Sequence, residues 1–177
     1  WEEGSLGVYV KNLSKTIKHV IADTTIGAVD FDGGLGNWST QGLNYYILAK
    51  LCWNPQLDVD VLIETYCKAG FGDGWEEIRQ YFYRVEELGV ENFLEFEEYY
   101  SLIYTEKVVK ELDSYLDNAI LATKKDPDFK LIEERIEFLR IGLKWTGLQG
   151  KIFANLQKMN TGQNYNHDEL IDLMLYR

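Results

Sequence analysis

Apolar residues recur at helical spacing at the start of the chain. Residues 8–22 therefore predict an amphipathic helix. Its apolar stripe consists of Val10, Leu13, Ile17 and Val20 or Ile21. Residues 26–32 form a short β-branched run that ends at Gly33 and Gly34, which indicates a strand followed by a turn. This run is the one convincing strand signal in the sequence.

The next segment, residues 42–53, is apolar nearly all round and is broken mainly by Asn44 and Lys50. A helix with that pattern is normally buried on most sides, and we expect this of residues 42–53. Several side chains between residues 37 and 40 can cap its start. The pair Asn54–Pro55 predicts its end, because proline disfavours the helical conformation of the residue before it.

Everything after Pro55 has helical spacing, apart from the acidic and aromatic residues 91–100, which the pattern does not assign. The predicted helix starts are Asp58, Trp75, Thr105–Glu106, Asp126–Pro127 and residue 167. The helix after Pro127 has two apolar stripes. The first is formed by Ile132, Ile136, Leu139 and Leu143, and the second by Phe138, Ile141, Trp145, Leu148 and Ile152. The pattern predicts a mainly α fold, in which one strand must pair with something outside the chain or remain an extended segment.

Composition narrows the possible partners. The 177 residues carry 18 basic and 29 acidic side chains, a net charge of −11, so the chain repels phosphate backbones and we expect no nucleic-acid partner. No apolar run approaches the ~20 residues of a membrane span. Aromatic residues make up 14% of the chain, which is rich but does not identify a function.

The sequence shows no metal or cofactor signature. Cys52 and Cys67 are expected to be buried free thiols, with a disulfide as the alternative. His19 and His167 lie far from each other and from both cysteines, so no zinc site is expected. No serine–histidine pair, cysteine–histidine pair or phosphate-binding loop occurs, and we expect no cofactor.

The first candidate for chemistry is the end of the predicted strand. Asp30 and Asp32 flank Phe31, so in an extended strand both carboxylates point to the same face. Functional side chains gather where strands of α/β folds end, and this pair could bind a ligand. A solvated turn with the same residues is the alternative, because aspartate followed by glycine is common in turns.

Aromatic residues supply the other candidates. Trp38, beside Asn37 and Gln41, could be a stacking platform for a sugar, or a staple that packs the loop onto its helix. Trp1, Glu2 and Glu3 combine an aromatic ring with carboxylates at the start of the chain. A further set of aromatic and acidic residues has helical spacing, which is more typical of packing in the core than of an exposed binding face. Its members are Tyr81, Phe82, Tyr83, Phe93, Phe96, Tyr99 and Tyr100, with Glu95, Glu97 and Glu98.

The stretch from Gly36 to Gly72 resembles a bacterial family, largely uncharacterised, that accompanies polysaccharide-degrading enzymes and looks like α-glucuronidases and family-20-type hexosaminidases. The elements that carry the resemblance are Gly42–Leu43, Tyr45–Tyr46, Leu48–Leu51, Trp53–Pro55, Asp58–Asp60, Gly70–Gly72 and Tyr81–Phe82. Residues 135–149 resemble a later helix of the same family.

The resemblance implies a TIM-type (β/α)₈ barrel followed by a helical C-terminal region. Residues 1–55 would be a terminal β/α remnant of the barrel, with strand 26–32 and closing helix 41–53, and residues 56–177 a helical bundle-like domain. A barrel needs about 250 residues, so we expect this chain to be the C-terminal part of a longer protein. Because the apolar face of the closing helix would then be uncovered, we expect Leu43, Ile47 and Leu51 to be accessible and the chain to self-associate or to bind a barrel.

The resemblance also implies a function. A glycosidase holds two carboxylates about 5–10 Å apart, and those are expected upstream of Trp1, so the chain alone should not be catalytic. Asp30, Asp32 and Trp38 would contact a carbohydrate substrate, in a bacterial protein of the periplasm or the cell exterior whose other partner is the upstream barrel. One alternative is a non-catalytic helical module that supports such a protein. Another is a free-standing helical binding domain whose aromatic and acidic surface recognises a ligand.

Overall fold

The computed structural model describes residues 6–22, 36–91 and 101–175 of the chain. These residues are 84% helical and contain no strand, which confirms the mainly α prediction for the described part. The helices are α1 (Val10–Ala22), α2 (Trp38–Trp53), α3 (Val59–Phe71), a 3₁₀ turn (Gly72–Gly74), α4 (Trp75–Glu91), α5 (Glu106–Thr123), α6 (Phe129–Asn160) and α7 (His167–Leu175). The predicted strand 26–32 lies outside the described residues.

Side-chain caps begin two of the helices where the sequence predicts. Asp58 Oδ1 accepts a hydrogen bond from the Val61 backbone N–H at 3.1 Å at the start of α3. Thr105 Oγ1 accepts one from the Val108 N–H at 3.4 Å at the start of α5. Each cap satisfies a backbone donor that has no partner within the helix, which is why these residue types mark helix starts.

The predicted start of α6 at Asp126–Pro127 is wrong by two residues, because Asp126 forms a turn instead of a cap. Its Oδ1 accepts from the Asp128 N–H at 2.8 Å, and its carbonyl accepts from the Phe129 N–H at 3.0 Å. Asp126 therefore closes a turn on itself, a common alternative use of aspartate. Pro127 lies in that turn, and α6 begins at Phe129.

One face of α2 is buried and the other is exposed. Leu43, Ile47 and Leu51 lie in the core of the chain, so the expectation that they would be uncovered is wrong. The expectation that α2 is buried on most sides is wrong too, since Trp53 on the opposite face is 93% exposed. Trp38, Ala49 and Cys52 are exposed as well. The helix is apolar all round, although the residues that the structure describes bury one side of it only.

The core is continuous from the start of the described chain to α6. It contains residues on both sides of the predicted boundary at residue 55, among them Ile17, Ile47, Ile63, Leu112 and Ile136. The close approach of α6 to α2 is at Gly142, where an added Cβ would lie 2.7 Å from Thr40 Cγ2 and 2.9 Å from the Ser39 carbonyl oxygen. The division into units 1–55 and 56–177 stays a prediction.

The segment before α1 passes through this core, and polar side chains satisfy its backbone. The Leu6 N–H donates to Thr146 Oγ1 at 2.8 Å, and the Tyr104 hydroxyl donates to the Leu6 carbonyl at 2.7 Å. Asn44 Nδ2 donates to the Gly7 carbonyl at 2.7 Å. Buried backbone groups need such partners, which explains why α2 and α6 carry buried polar residues facing this segment.

Both cysteines are free, as predicted, but they differ in environment. Cys67 is buried, and burial raises the pKa of its thiol to about 12. Cys52 lies on the exposed face of α2, so the prediction that both are buried is wrong for Cys52. None of the helices that the structure describes is long and apolar enough to cross a membrane.

Candidate functional site

The predicted site residues fall in different parts of the chain. Asp30 and Asp32, predicted as substrate contacts, lie outside the described residues, and so do Trp1, Glu2 and Glu3. Trp38 lies within the described part, at the first position of α2. The site is therefore built from Trp38 outward.

Trp38 is 51% exposed, which leaves much of its indole in contact with solvent. Its other side packs edge-to-face against Tyr45, with ring centroids 5.1 Å apart and an interplanar angle of 74°. Edge-to-face contact is a favoured aromatic geometry and holds the indole in place. This contact lies within α2, and the exposed part of the ring leaves a surface on which a ligand could stack.

The Gln41 amide lies on the same side of α2 as Trp38, and the Tyr9 hydroxyl is bonded to it. Gln41 follows Trp38 by three positions and precedes Tyr45 by four, spacings that place side chains on one helix face. Gln41 Oε1 accepts from the Tyr9 hydroxyl at 3.0 Å and from Asn44 Nδ2 at 2.7 Å. Tyr9 is 40% exposed. We call Tyr9, Trp38, Gln41 and Tyr45 the aromatic platform.

The platform is suited to binding and carries no reactive group. Its rings offer apolar faces, and its hydroxyl and amide groups form hydrogen bonds of fixed direction. It holds no carboxylate, thiol or imidazole that could act as nucleophile or general acid. Such a surface fits a ligand with C–H faces and hydroxyl groups.

A second feature, missed by the sequence analysis, is the buried carboxyl group of Glu86 on α4. Its Oε1 accepts from the Lys11 backbone N–H at 2.8 Å, in the first turn of α1. Its Oε2 is buried with no hydrogen-bond partner among the described residues, and Lys11 Nζ lies 3.8 Å away. Burial raises the pKa of Glu86, and the bond from Lys11 and its charge oppose that shift.

A signal for Glu86 exists in the sequence. Ile78, Phe82 and Glu86 follow one another at intervals of four, and all three are buried. An acidic residue at an apolar helix position indicates a buried carboxyl group with a specific partner. That partner, the backbone of Lys11, is too distant in sequence for the pattern to name.

Further polar groups surround Glu86. The Tyr83 hydroxyl donates to Asp60 Oδ1 at 3.0 Å, and Lys11 Nζ lies 5.3 Å from the centre of the Tyr83 ring. Burial, and then the bond to Asp60, raise the pKa of Tyr83 to about 12. We call Lys11, Asp60, Tyr83 and Glu86 the polar cluster. It joins α1, α3 and α4.

The other aromatic residues of α4 mostly belong to the core. Tyr81 and Phe82 are buried, which confirms the core interpretation for them, whereas Tyr83 is half-buried. The remaining members of that predicted set lie outside the described residues. The described part of α4 therefore presents no broad aromatic binding face.

A cleft of about 490 Å³ lies between α6 and α7. Its lining is formed by Leu148, Asn166, Asp168, Glu169, Asp172 and Leu173. The carboxylates come from neighbouring turns of α7, and within the described ranges no group of three or more His, Cys, Asp or Glu side chains is arranged so that it could hold a metal ion. The carboxylates of this open cleft carry like charges that face solvent, and they are not arranged to bind a metal ion.

Fold and site together define a helical protein with a solvent-facing aromatic platform at the start of α2. The family profile described as a domain of unknown function (DUF4838) matches residues 8–83, and over this stretch the chain is similar to that family. The matched stretch contains the whole aromatic platform and most of the sequence elements of the resemblance. It also contains Lys11, Asp60 and Tyr83 of the polar cluster. Neither a curated protein nor a solved structure matches the chain.

Proposed function

We propose that this chain is the carbohydrate-contacting helical part of a glycoside-hydrolase-like protein, and that the aromatic platform is its sugar-binding surface. The observation that carries the proposal is the half-exposed indole of Trp38, held against Tyr45 beside a fixed amide and hydroxyl. The motifs of residues 36–72 supply the link to polysaccharide-degrading proteins as a resemblance.

The platform is largely pre-formed. Gln41 Oε1 receives two hydrogen bonds, from Tyr9 and Asn44, which fixes the direction of its amide group. Immobilising a flexible side chain on binding costs about 0.5–1.5 kcal/mol, and a pre-ordered amide avoids most of that cost. In the proposed complex the apolar C–H face of a pyranose stacks on the exposed part of the Trp38 indole, and its hydroxyl groups face the polar side of the platform.

The ligand class we propose is a neutral glycan. The net charge of −11 repels polyanionic polysaccharides over the range of the Debye length. Asp30 and Asp32 precede Trp38 closely in sequence and are proposed as further contacts to sugar hydroxyl groups. The catalytic carboxylates of the proposed hydrolase belong to another part of the same protein.

The test is a titration of the chain with neutral oligosaccharides, namely cello-, xylo- and chito-hexaose, followed by NMR of backbone amides. We expect shifts at residues 38–45 and a loss of affinity of about two- to tenfold for Trp38→Ala, since an aromatic contact is worth about 0.5–1.5 kcal/mol.

Trp53→Ala is the matched control, because Trp53 lies on the same helix and is exposed, yet stands at the opposite end. It should bind as the unchanged chain does. Equal losses in both variants, or no binding of any of the three sugars, would contradict the proposal.

A second function, a non-catalytic helical module that supports its parent protein, is favoured by one observation. Leu43, Ile47 and Leu51 are buried by the chain itself, so the described helices form a core without a partner. A chain that folds as a stable monomer and binds no sugar in the titration would favour this function over the first.

A further inference from the structure

The first turn of α1 is held on two sides by side chains distant in sequence. On one side, the Lys11 N–H donates to Glu86 Oε1 at 2.8 Å. On the other, the Tyr9 hydroxyl donates to Gln41 Oε1 at 3.0 Å, and the Tyr9 N–H to Asn44 Oδ1 at 3.3 Å. One residue separates the two attachments, so a shift of this turn at Lys11 moves Tyr9 as well.

Of the side chains that hold this turn, Glu86 is the one that can gain or lose a proton near its carboxyl pKa, whereas Gln41 and Asn44 are amides. It is 5% exposed, and its second oxygen lacks a hydrogen bond among the described residues. Within the described part of the chain, the charged and titratable groups that act on it or adjoin it are Lys11 from α1, Asp60 from α3 and Tyr83 from its own helix α4. Lys11 is the one cation of the cluster, and it stands opposite two carboxyl groups.

We propose that the protonation of Glu86 controls how firmly the first turn of α1 is seated, and through Tyr9 the geometry of the aromatic platform. The part that concerns a bound sugar rests on the proposed function, whereas the coupling between Glu86 and Tyr9 does not. The platform is then a surface whose order depends on pH.

The direction follows from the burial of Glu86. In the seated state burial raises the pKa of Glu86 above its ordinary value, whereas an opened turn lets water reach the carboxylate and restores that value. The seated state therefore binds the proton more tightly. Opening is therefore favoured as the pH rises from the ordinary pKa of a glutamate through the raised pKa of Glu86. The turn is held most firmly at the acidic end of this pH interval.

The experiment follows two NMR signals of the whole chain as a function of pH, without any sugar. These are the backbone amide of Lys11, which reports on Glu86, and the ring resonances of Tyr9. We expect both to shift with one common midpoint. In Glu86→Gln both should be flat across this range, because the amide side chain does not ionise.

Glu87→Gln is the matched control, since Glu87 is the next residue of α4, is exposed and pairs with Arg84 at 3.4 Å. It should leave both titrations unchanged. A Tyr9 signal that does not follow Lys11, or a Lys11 titration that persists in Glu86→Gln, overturns the proposal.

Two further variants test the coupling if Glu86→Gln alters folding. Lys11 lowers the pKa of Glu86 and Asp60 raises it. Lys11→Gln should therefore move the common midpoint to higher pH, and Asp60→Asn should move it to lower pH. Midpoints that stay unchanged in both variants overturn the proposal.

Sugar binding separates this proposal from the proposed function. If a neutral hexaose binds, its affinity should fall as pH rises through the midpoint in the unchanged chain and stay constant in Glu86→Gln. An affinity that falls equally in both overturns the control by Glu86. If no hexaose binds at any pH, the proposed function fails, while the common titration of Lys11 and Tyr9 still supports the coupling.

Discussion

Glu86 and Arg140 are the charged side chains that the described residues bury, and their partners differ. Glu86 has a backbone N–H and one distant ammonium group. Arg140 on α6 bonds to three carboxylates, Asp113 and Asp117 of α5 and Glu137 of its own helix. A guanidinium group has several donors in a fixed plane, so Arg140 joins two helices through charge-assisted bonds.

We predict that Arg140→Ala lowers the free energy of unfolding by about 2 kcal/mol. It removes charge-assisted hydrogen bonds and leaves Asp113 and Asp117, four positions apart, to repel each other. The loss stays moderate because all three carboxylates are partly exposed and can be hydrated again. Urea unfolding followed by circular dichroism measures it.

The control for Arg140→Ala is Lys110→Ala on α5. Lys110 pairs with Glu106 at 2.6 Å, but both side chains are largely exposed to solvent, so its loss should lower the free energy of unfolding far less than Arg140→Ala does. If the two variants are destabilised equally, Arg140 does not have the role that its contacts indicate.

At the scale of the elements, the contact between α2 and α6 depends on a glycine, because a side chain at that position would not fit. Gly142 lies where the backbone of Ser39 and the methyl group of Thr40 meet α6. This contact adjoins Trp38, so it also sets the position of the first turn of α2 and of the platform. A Cβ at this position would be closer to those atoms than van der Waals contact allows.

We predict that Gly142→Ala lowers the free energy of unfolding by about 1–2 kcal/mol, because overpacking outweighs the gain in helix propensity. Urea unfolding again supplies the measurement. Gly70→Ala is the matched control within α3. No described atom lies within 4 Å of its added Cβ, so this variant should be more stable by up to about 1 kcal/mol. A stabilised Gly142→Ala chain would contradict the close approach.

The elements also show how far local pattern determines structure. Asp58 and Thr105 cap the helices that their sequence context predicts, because a cap bonds to a residue three positions away. The start of α6 is displaced because Asp126 has two local bonding modes of similar strength, a cap and a turn. For α2 the pattern predicts the helix and its end at Asn54 but not its buried face, since an all-round apolar helix carries no information on which face its neighbours cover.

At the scale of the whole molecule, the described helices share one core that crosses the predicted boundary at residue 55. Ile47 before that boundary and Ile136 after it are both fully buried. The segment at Leu6, bonded to Thr146 and Tyr104, adds polar contacts between the two parts. A shared core couples the stability of its parts.

We predict that the described helices unfold in one cooperative transition. The methyl NMR signals of Ile47 and Ile136 should disappear at the same urea concentration, because neither part keeps its apolar surface covered without the other. Ile47→Val should lower the free energy of unfolding by about 0.5–1.5 kcal/mol, and the urea midpoints of both signals should fall together. Separate midpoints would support two independent units divided near residue 55.

The sequence by itself determined the mainly helical content, most helix starts, the core positions of α4 and the first apolar stripe of α6, because these depend on contacts three or four residues apart. The second stripe of α6 is not in the core, since Phe138 and Ile141 are exposed. The sequence also singled out Trp38. Only the tertiary structure decided that Tyr9 bonds to Gln41 beside Trp38, that Glu86 is buried against α1, and which face of α2 is covered. These features need partners tens of residues away, and the helical period does not encode which distant segment fills a given face.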